Sequence, residues 1–513
     1  MIAFLRRMAG LKGVEYYLAL VFLMVRVPAA FLLGLGNDEV YYVMYAQHPS
    51  LSYFDHPPLV GILVYLSTLG FKLDTIFAIR FFPLLFSVIN LIVIYRIVRS
   101  LGGNNAGLIA MLLYMGSVYT SVISGIFIMP DSAMLTFWIL FTGLILEGIR
   151  RRNFDTIFWV KAGCFVGLGF LSKYHSLFLW LGAGLFFIFY LRKVFYSRGI
   201  YIAALVTIIF MFPVLYWNYH NEWLSFTFHF GRVGTSENKF EIKYLLGELF
   251  GGLIYNGILN GIIFWMVLFR LFTRKNIIGL REDMAILFLT VPLILFFILS
   301  SISKPTLPHW SAPAFTLLII PAAKMLSRWR YGALLAFYSA SLMMLLCLIA
   351  PLVINNMRFD YTNRDPKRLG RFDFTLDMYG WEQRGEVASY YLKEQDSLGY
   401  KTDSSRMIIF KWFPGAHIER YIARRENMNV FGVGSLDALH HYHWVNSELG
   451  EIDKSAYHYI FTSSHFFQNP SERDAFESID LIAAVPFHKG IHIVENLFIY
   501  RVKLKRDYNN IEY

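Results

Sequence analysis

The chain has 513 residues, of which 56% are hydrophobic, 18% aromatic and only 16% charged, and its mean hydropathy is +0.47. These values lie outside the range of soluble globular proteins and specify a helical protein with many membrane spans. The formal net charge of +11 would suit nucleic acid, but the basic residues cluster between apolar runs, a pattern that sets membrane orientation rather than naming a partner.

In chain order, a basic start (Arg6, Arg7, Lys12) leads without a cleavable signal peptide into an apolar run from Tyr16 to Leu35, long enough to be a retained span. Length and flanking charge predict about eleven spans, near 14–35, 77–98, 105–124, 132–149, 157–172, 174–191, 199–217, 247–269, 284–303, 308–326 and 331–354. Basic residues recur at Arg96/Arg99, Arg150–Arg152, Arg192/Lys193/Arg198, Arg270/Arg274/Lys275 and Lys324/Arg328/Arg330, on every second connection. With those inside, the connections 36–76, 125–131, 172–174, 218–246 and 304–307 lie outside, as does everything after 354. Two outside stretches, 57–71 and 217–232, read as amphipathic helices lying in the interface.

After Asn355 charges rise and apolar runs shorten. Met407–Phe413, Asn429–Val433, Tyr457–Thr462 and Leu497–Val502 look like strands, and Gly385–Leu398 like an amphipathic helix. The expected division is therefore a transmembrane domain over 1–354, containing the 36–76 loop, and a soluble α/β domain over 355–513. Cys164 and Cys347 fall in predicted spans, so the C-terminal domain folds without disulfides.

The residues that invite chemistry collect on the outside connections. Asp38 and Glu39 follow the first span beside Tyr41, Tyr42 and Tyr45. An ordinary loop acid would be solvated; at membrane depth, partial desolvation raises basicity and suits a general base. The run YFDHPPL at 53–59 offers Asp55 and His56 as ligands of a divalent metal or a phosphate, although Asp55 could equally cap the helix after Pro57-Pro58. Asp131 follows Pro130 and is as readily a helix cap as a catalytic acid. His229 and Arg232 share one helix face. Lys173, Tyr174, Lys304 and His309 interrupt otherwise apolar or proline-rich segments. Each cation alone could simply reach for lipid headgroups; their convergence on one face with the acids suits an anionic, lipid-linked substrate. No P-loop, dinucleotide fingerprint or Gly-x-Ser-x-Gly elbow occurs, so a nucleotide cofactor is not expected.

At these residues the sequence resembles the GT-C glycosyltransferases, and within them the bacterial protein-mannosyltransferase-like family that includes the lipid A aminoarabinose transferase. The resemblance rests on Asp38-Glu39, YFDHPPL at 53–59, Pro130-Asp131-Ser132, GLGFLSKY at 167–174, WNYHNEWLSFTFHFGR at 217–232 and KPTLPHWSAP at 304–313. It covers roughly residues 10–325 and is weaker beyond, where DMYGW at 377–381 also looks like a family element. It implies inverting transfer of a sugar from a polyprenyl-phosphate donor to an envelope acceptor (lipid A, another glycan or a protein) on the extracytoplasmic face of the inner membrane.

Carried onto this chain, the resemblance makes Asp38, Glu39 and Asp131 the catalytic candidates. His56, Lys173, Tyr174, Arg232, Lys304 and His309 become donor-phosphate contacts, and Asp55 and His229 metal candidates. One departure stands out. The aminoarabinose enzyme carries Glu-Lys before its Pro-Pro step where this chain has Asp55-His56, so a permanent cation gives way to a titratable one. The alternative is a transporter or flippase of a lipid-linked anion, which would tend toward midplane charges and repeat symmetry. A non-catalytic envelope scaffold is the third reading.

Overall fold

The computed structural model describes residues 1–233, 240–273, 277–360, 365–472 and 474–507. Arg274 and Lys275, two of the expected inside charges, lie outside the described residues. Two compact units emerge. One comprises Met1–Ala30 and Ser50–Leu348; the other comprises Phe31–Pro49 and the chain from Ile349 onward. The stretch 31–49, expected with the membrane domain, thus groups with the C-terminal unit.

The first unit is a helical bundle. Among the described residues six helices are long and apolar enough to cross a membrane: Val14–Leu32, Phe81–Met115, Pro130–Arg151, Arg198–His220, Leu280–Ser300 and Gly332–Asn356, the last of which runs on into the second unit. Three shorter apolar helices cover Thr156–Ser172, Tyr174–Tyr190 and Ala312–Leu326. Two expected spans, 77–98 and 105–124, fall largely within Phe81–Met115, whose helical path breaks at Gly103 (φ 81°). Helix Thr156–Ser172 packs between Arg198–His220 and Pro130–Arg151, while Tyr174–Tyr190 lies along Leu280–Ser300. The apolar run after Pro58 forms a short helix, Leu59–Ser67.

The expected single span 247–269 is instead two helices, Ile242–Tyr255 and Ile258–Phe272, bent by 111°. The cause is local. Gly257 sits between them at φ 78°, where a side chain is strained, and a Cβ there would collide with the Gly116 carbonyl oxygen. Gly257→Ala is therefore expected to destabilise the bundle by about 1–3 kcal/mol. Thermal unfolding in detergent checks this, and an unchanged midpoint would show that the bend does not depend on glycine.

The second unit contains a five-stranded mixed sheet of β1 (Arg406–Ile409), β2 (Asn429–Gly432), β3 (His458–Ser463), β4 (Phe476–Lys489) and β5 (His492–Leu504), in the order β2-β1-β3-β5-β4. β1 pairs in parallel with β2 and β3, and β5 runs antiparallel to β3 and β4. Ile408, Phe410, Phe431, Ile460 and Val502 form its core. The expected strand Met407–Phe413 stops at Ile409, and Trp412–Ile418 is helical, entered across the Phe413–Pro414 step. β4 was not anticipated because it contains Pro486; as an edge strand it tolerates the missing N–H. Helix Trp381–Ser397 replaces the expected 385–398. Helix Asn37–Gln47 packs on Trp412–Ile418, and a tilted ring contact between Tyr41 and Trp412 (centroids 5.0 Å apart) helps hold it there.

Candidate active site

In the membrane unit the predicted residues from five separated segments meet. Pro130 begins helix Pro130–Arg151, with Met129 as its N-cap. Asp131 is thus a first-turn acid rather than the cap, in the position favoured by the helix dipole. Its Oδ2 accepts from Lys173 Nζ at 2.8 Å, and its Oδ1 accepts from Tyr119 Oη at 3.0 Å. Lys173 and Asp131 side chains are 6% and 1% exposed, so this is a buried ion pair. Lys173 reaches it because the chain turns out of helix Thr156–Ser172 there, and Ser172 Oγ fixes that turn by donating to the Pro130 carbonyl at 2.5 Å.

Imidazoles surround the pair. His229, on helix Leu224–Val233, directs Nε2 to the Asp55 backbone oxygen at 2.8 Å. A carbonyl only accepts, so Nε2 carries the hydrogen. The His229 ring lies 6.1 Å from that of His56 and 5.0 Å from that of Tyr174, whose hydroxyl bonds Ser225 Oγ at 2.8 Å. His309 lies against Tyr255 and Trp310, and the Arg232 guanidinium sits 5.0 Å from the centroid of Trp310. Lys304 Nζ donates to the Gly231 carbonyl, which ties the 304–313 segment to the helix bearing His229 and Arg232.

Burial pushes His56 down to about 3 and His229 and His309 each down to about 4, with Lys173 adding to the depression in all three. These imidazoles are neutral at pH 7; Lys173, Arg232 and Lys304 are the other basic side chains described above. Folded values below the unfolded one mean that stability is complete above about pH 6.5 and is lost as pH falls toward the folded values. Acidification from pH 7 to 5 is expected to lower the unfolding temperature, and by less in His56→Gln than in wild type. Equal drops in the two proteins would contradict a buried, neutral His56.

The metal expectation fares differently. Asp55 meets His229 through its backbone, and that engages Nε2. Among the described residues no group of three or more His, Cys, Asp or Glu could hold a metal ion.

Asp38 and Glu39 lie in the other unit, in the first turn of helix Asn37–Gln47. Asp38 is exposed and Glu39 buried. Glu39 Oε2 accepts from the Gly36 N–H at 2.9 Å, so this carboxylate caps its own helix. Sequence reasoning missed Tyr119 and Glu248. Glu248 accepts from Thr306 and Ser311, at 2.7 Å each, and thereby anchors the 304–313 segment. Its signal was a lone carboxylate in an apolar run.

Comparison with known proteins bears on this arrangement. Residues 55–217 match the family model described as dolichyl-phosphate-mannose-protein mannosyltransferase. Over 303 residues the chain is 25% identical to the lipid A galacturonosyltransferase RgtD of Rhizobium johnstonii, covering 58% of this chain and 61% of that protein. The crystal structure of ArnT from Cupriavidus metallidurans bound to undecaprenyl phosphate superposes with a TM-score of 0.66 at 13% identity, over 96% of this chain and 98% of ArnT. Apo ArnT gives 0.63 at 12% identity, with the same coverage. The chain has the GT-C fold, a helical membrane protein with a C-terminal sheet domain.

Proposed function

Proceeding from this fold, we propose that the chain is a polyprenyl-phosphate-sugar-dependent glycosyltransferase of the inner membrane, acting on an envelope acceptor such as lipid A at the extracytoplasmic face. The observation that carries the reading is the buried Lys173–Asp131 pair, ringed by imidazoles and flanked by Arg232 and Lys304. Cations at the membrane boundary suit a lipid phosphate, and relatives that act on lipid A or bind undecaprenyl phosphate are similar to this chain in sequence or fold.

In the proposed reaction an acceptor hydroxyl attacks C1 of the donor sugar, its proton passes to a carboxylate, and the C1–O bond to the lipid phosphate breaks with inversion. Negative charge grows on the departing phosphate, which is where fixed cations lower the barrier. Lys173, Arg232 and Lys304 are assigned to that phosphate, with N–H donation from His56 and His309 and from the Tyr174 hydroxyl. Asp131 holds Lys173 in place until the phosphate competes for it. Asp38 is assigned as proton acceptor on the strength of the resemblance, with Glu39 fixing its helix.

Binding of undecaprenyl phosphate to the full chain tests the phosphate assignment. The Lys173→Met/Asp131→Asn variant is expected to bind at least about tenfold more weakly, since a charged hydrogen bond contributes roughly 1.5–3 kcal/mol. Unchanged affinity would remove Lys173 from the phosphate site.

A further inference from the structure

The segment that carries Asp38 ends in a histidine held between two acids. His48 follows helix Asn37–Gln47 as its C-cap, with its N–H on the Met44 carbonyl at 2.9 Å. Its Nε2 lies 2.9 Å from Glu419 Oε1, and its Nδ1 lies 3.3 Å from Glu448 Oε2. Glu419 Oε2 in turn accepts from the Tyr442 hydroxyl at 2.5 Å. Carboxylate oxygens only accept while ionised, so an imidazole that satisfies both must carry hydrogen on both nitrogens. A cation here also sits at the C-terminal end of its helix, where the dipole favours positive charge.

The two acids come from separate parts of the same unit. Glu419 opens the turn Glu419–Ala423 after helix Trp412–Ile418, and Glu448 lies near the end of helix Tyr442–Leu449. Two neutral contacts also tie helix Asn37–Gln47 nearer its start. His417 Nε2 and Asn37 Oδ1 are 3.2 Å apart, and the His441 N–H donates to Tyr41 Oη at 3.1 Å. His48 is thus the one charge-dependent tie among these three.

We propose that His48 is a positioning residue: as an imidazolium bridging Glu419 and Glu448 it locks the Asp38-bearing helix onto the rest of its unit, and the lock loosens when His48 loses its proton. The consequence for sugar transfer rests on the reading of Asp38 as proton acceptor; the lock itself does not. The carboxylates raise His48 above its ordinary value by more than burial lowers it. A raised value means that the tie is complete below about pH 6.5 and is lost as pH climbs through the folded value. That sign is opposite to the one for His56, His229 and His309 in the membrane unit, so the two effects separate in one titration.

The test is amide hydrogen exchange of residues 37–47 in the full-length protein in nanodiscs, corrected for intrinsic rates, at pH 6 and pH 8.5. Wild type is expected to lose protection by roughly tenfold across that range, the loss that accompanies a charged hydrogen-bonded tie. His48→Gln should show low protection at both values, and His48→Lys, charged throughout, should keep more protection than wild type at pH 8.5. Equal protection of wild type and His48→Gln at pH 6 would overturn the proposal. Should the variants fold poorly, imidazole nitrogen shifts of wild-type His48 decide: both nitrogens protonated at pH 6 supports the lock, and a neutral ring refutes it. Neither readout needs sugar transfer, so failure of the transferase reading would leave the lock standing, and the reverse.

Discussion

Lys173→Met is expected to destabilise the membrane unit by about 3–5 kcal/mol, because it strands the Asp131 carboxylate in a buried site. Removing a single partner is the costly step. Replacing both partners by groups that need no charge is often close to neutral. The Asp131→Asn/Lys173→Met protein should therefore recover most of the loss, since an asparagine amide oxygen in place of the carboxylate can still accept from the Tyr119 hydroxyl. Its transfer activity should stay absent. Stability regained without activity separates what the pair does for folding from the phosphate role proposed for Lys173. Thermal unfolding in detergent and a transfer assay on wild type and both variants check this. A double variant as unstable as Lys173→Met would mean that the pair is not the source of the loss.

Arg384→Met carries the corresponding expectation for the C-terminal unit. Arg384 and Glu495 are both fully buried and paired through Nε and Oε1. Nη1 donates to the Tyr379 carbonyl at 2.7 Å, and the guanidinium lies 4.6 Å from the Trp381 centroid and 5.1 Å from that of Phe487. Glu495 Oε2 has no hydrogen-bond partner among the described residues, and Lys489 and His465 act on the carboxylate only through space, so its ion pair is the one with Arg384. Loss of Arg384 is expected to cost about 3–5 kcal/mol. Arg384→Lys should recover only part of it, because an ammonium cannot fork between carboxylate and carbonyl while stacking on an indole. Protease resistance of the segment after residue 349, followed with temperature, reads the effect. A wild-type profile for Arg384→Met would contradict it.

Much of the membrane unit was legible because its signal is long and additive. An apolar run of twenty residues flanked by arginine admits few other readings. Asp131 and Lys173, which the structure pairs, were legible as candidates for the related reason that ionisable residues in such surroundings are costly. Other features depended on contacts that no local pattern encodes. The bend at Gly257 exists because the Gly116 carbonyl passes beside it, and nothing near residue 257 in the sequence announces residue 116. Glu39 looked like a second catalytic acid, whereas its carboxylate closes on the Gly36 N–H three residues back, a capping arrangement that short-range sequence could have suggested. Helix Asn37–Gln47 groups with strands and helices some 370 residues later, through Tyr41, His48 and Asn37. β4 was hidden by Pro486, a residue that only an edge position excuses.

Whether the chain transfers sugar at all is decided by presenting a labelled polyprenyl-phosphate sugar to native membranes and comparing wild type with Asp38→Asn at matched expression. Label is expected on a lipid or glycan acceptor with wild type, and transfer is expected to fall by at least about a hundredfold when the proposed proton acceptor is removed. Equal transfer by the two proteins would move the base away from Asp38. No transfer by wild type from any of a panel of donor sugars would contradict the glycosyltransferase reading itself.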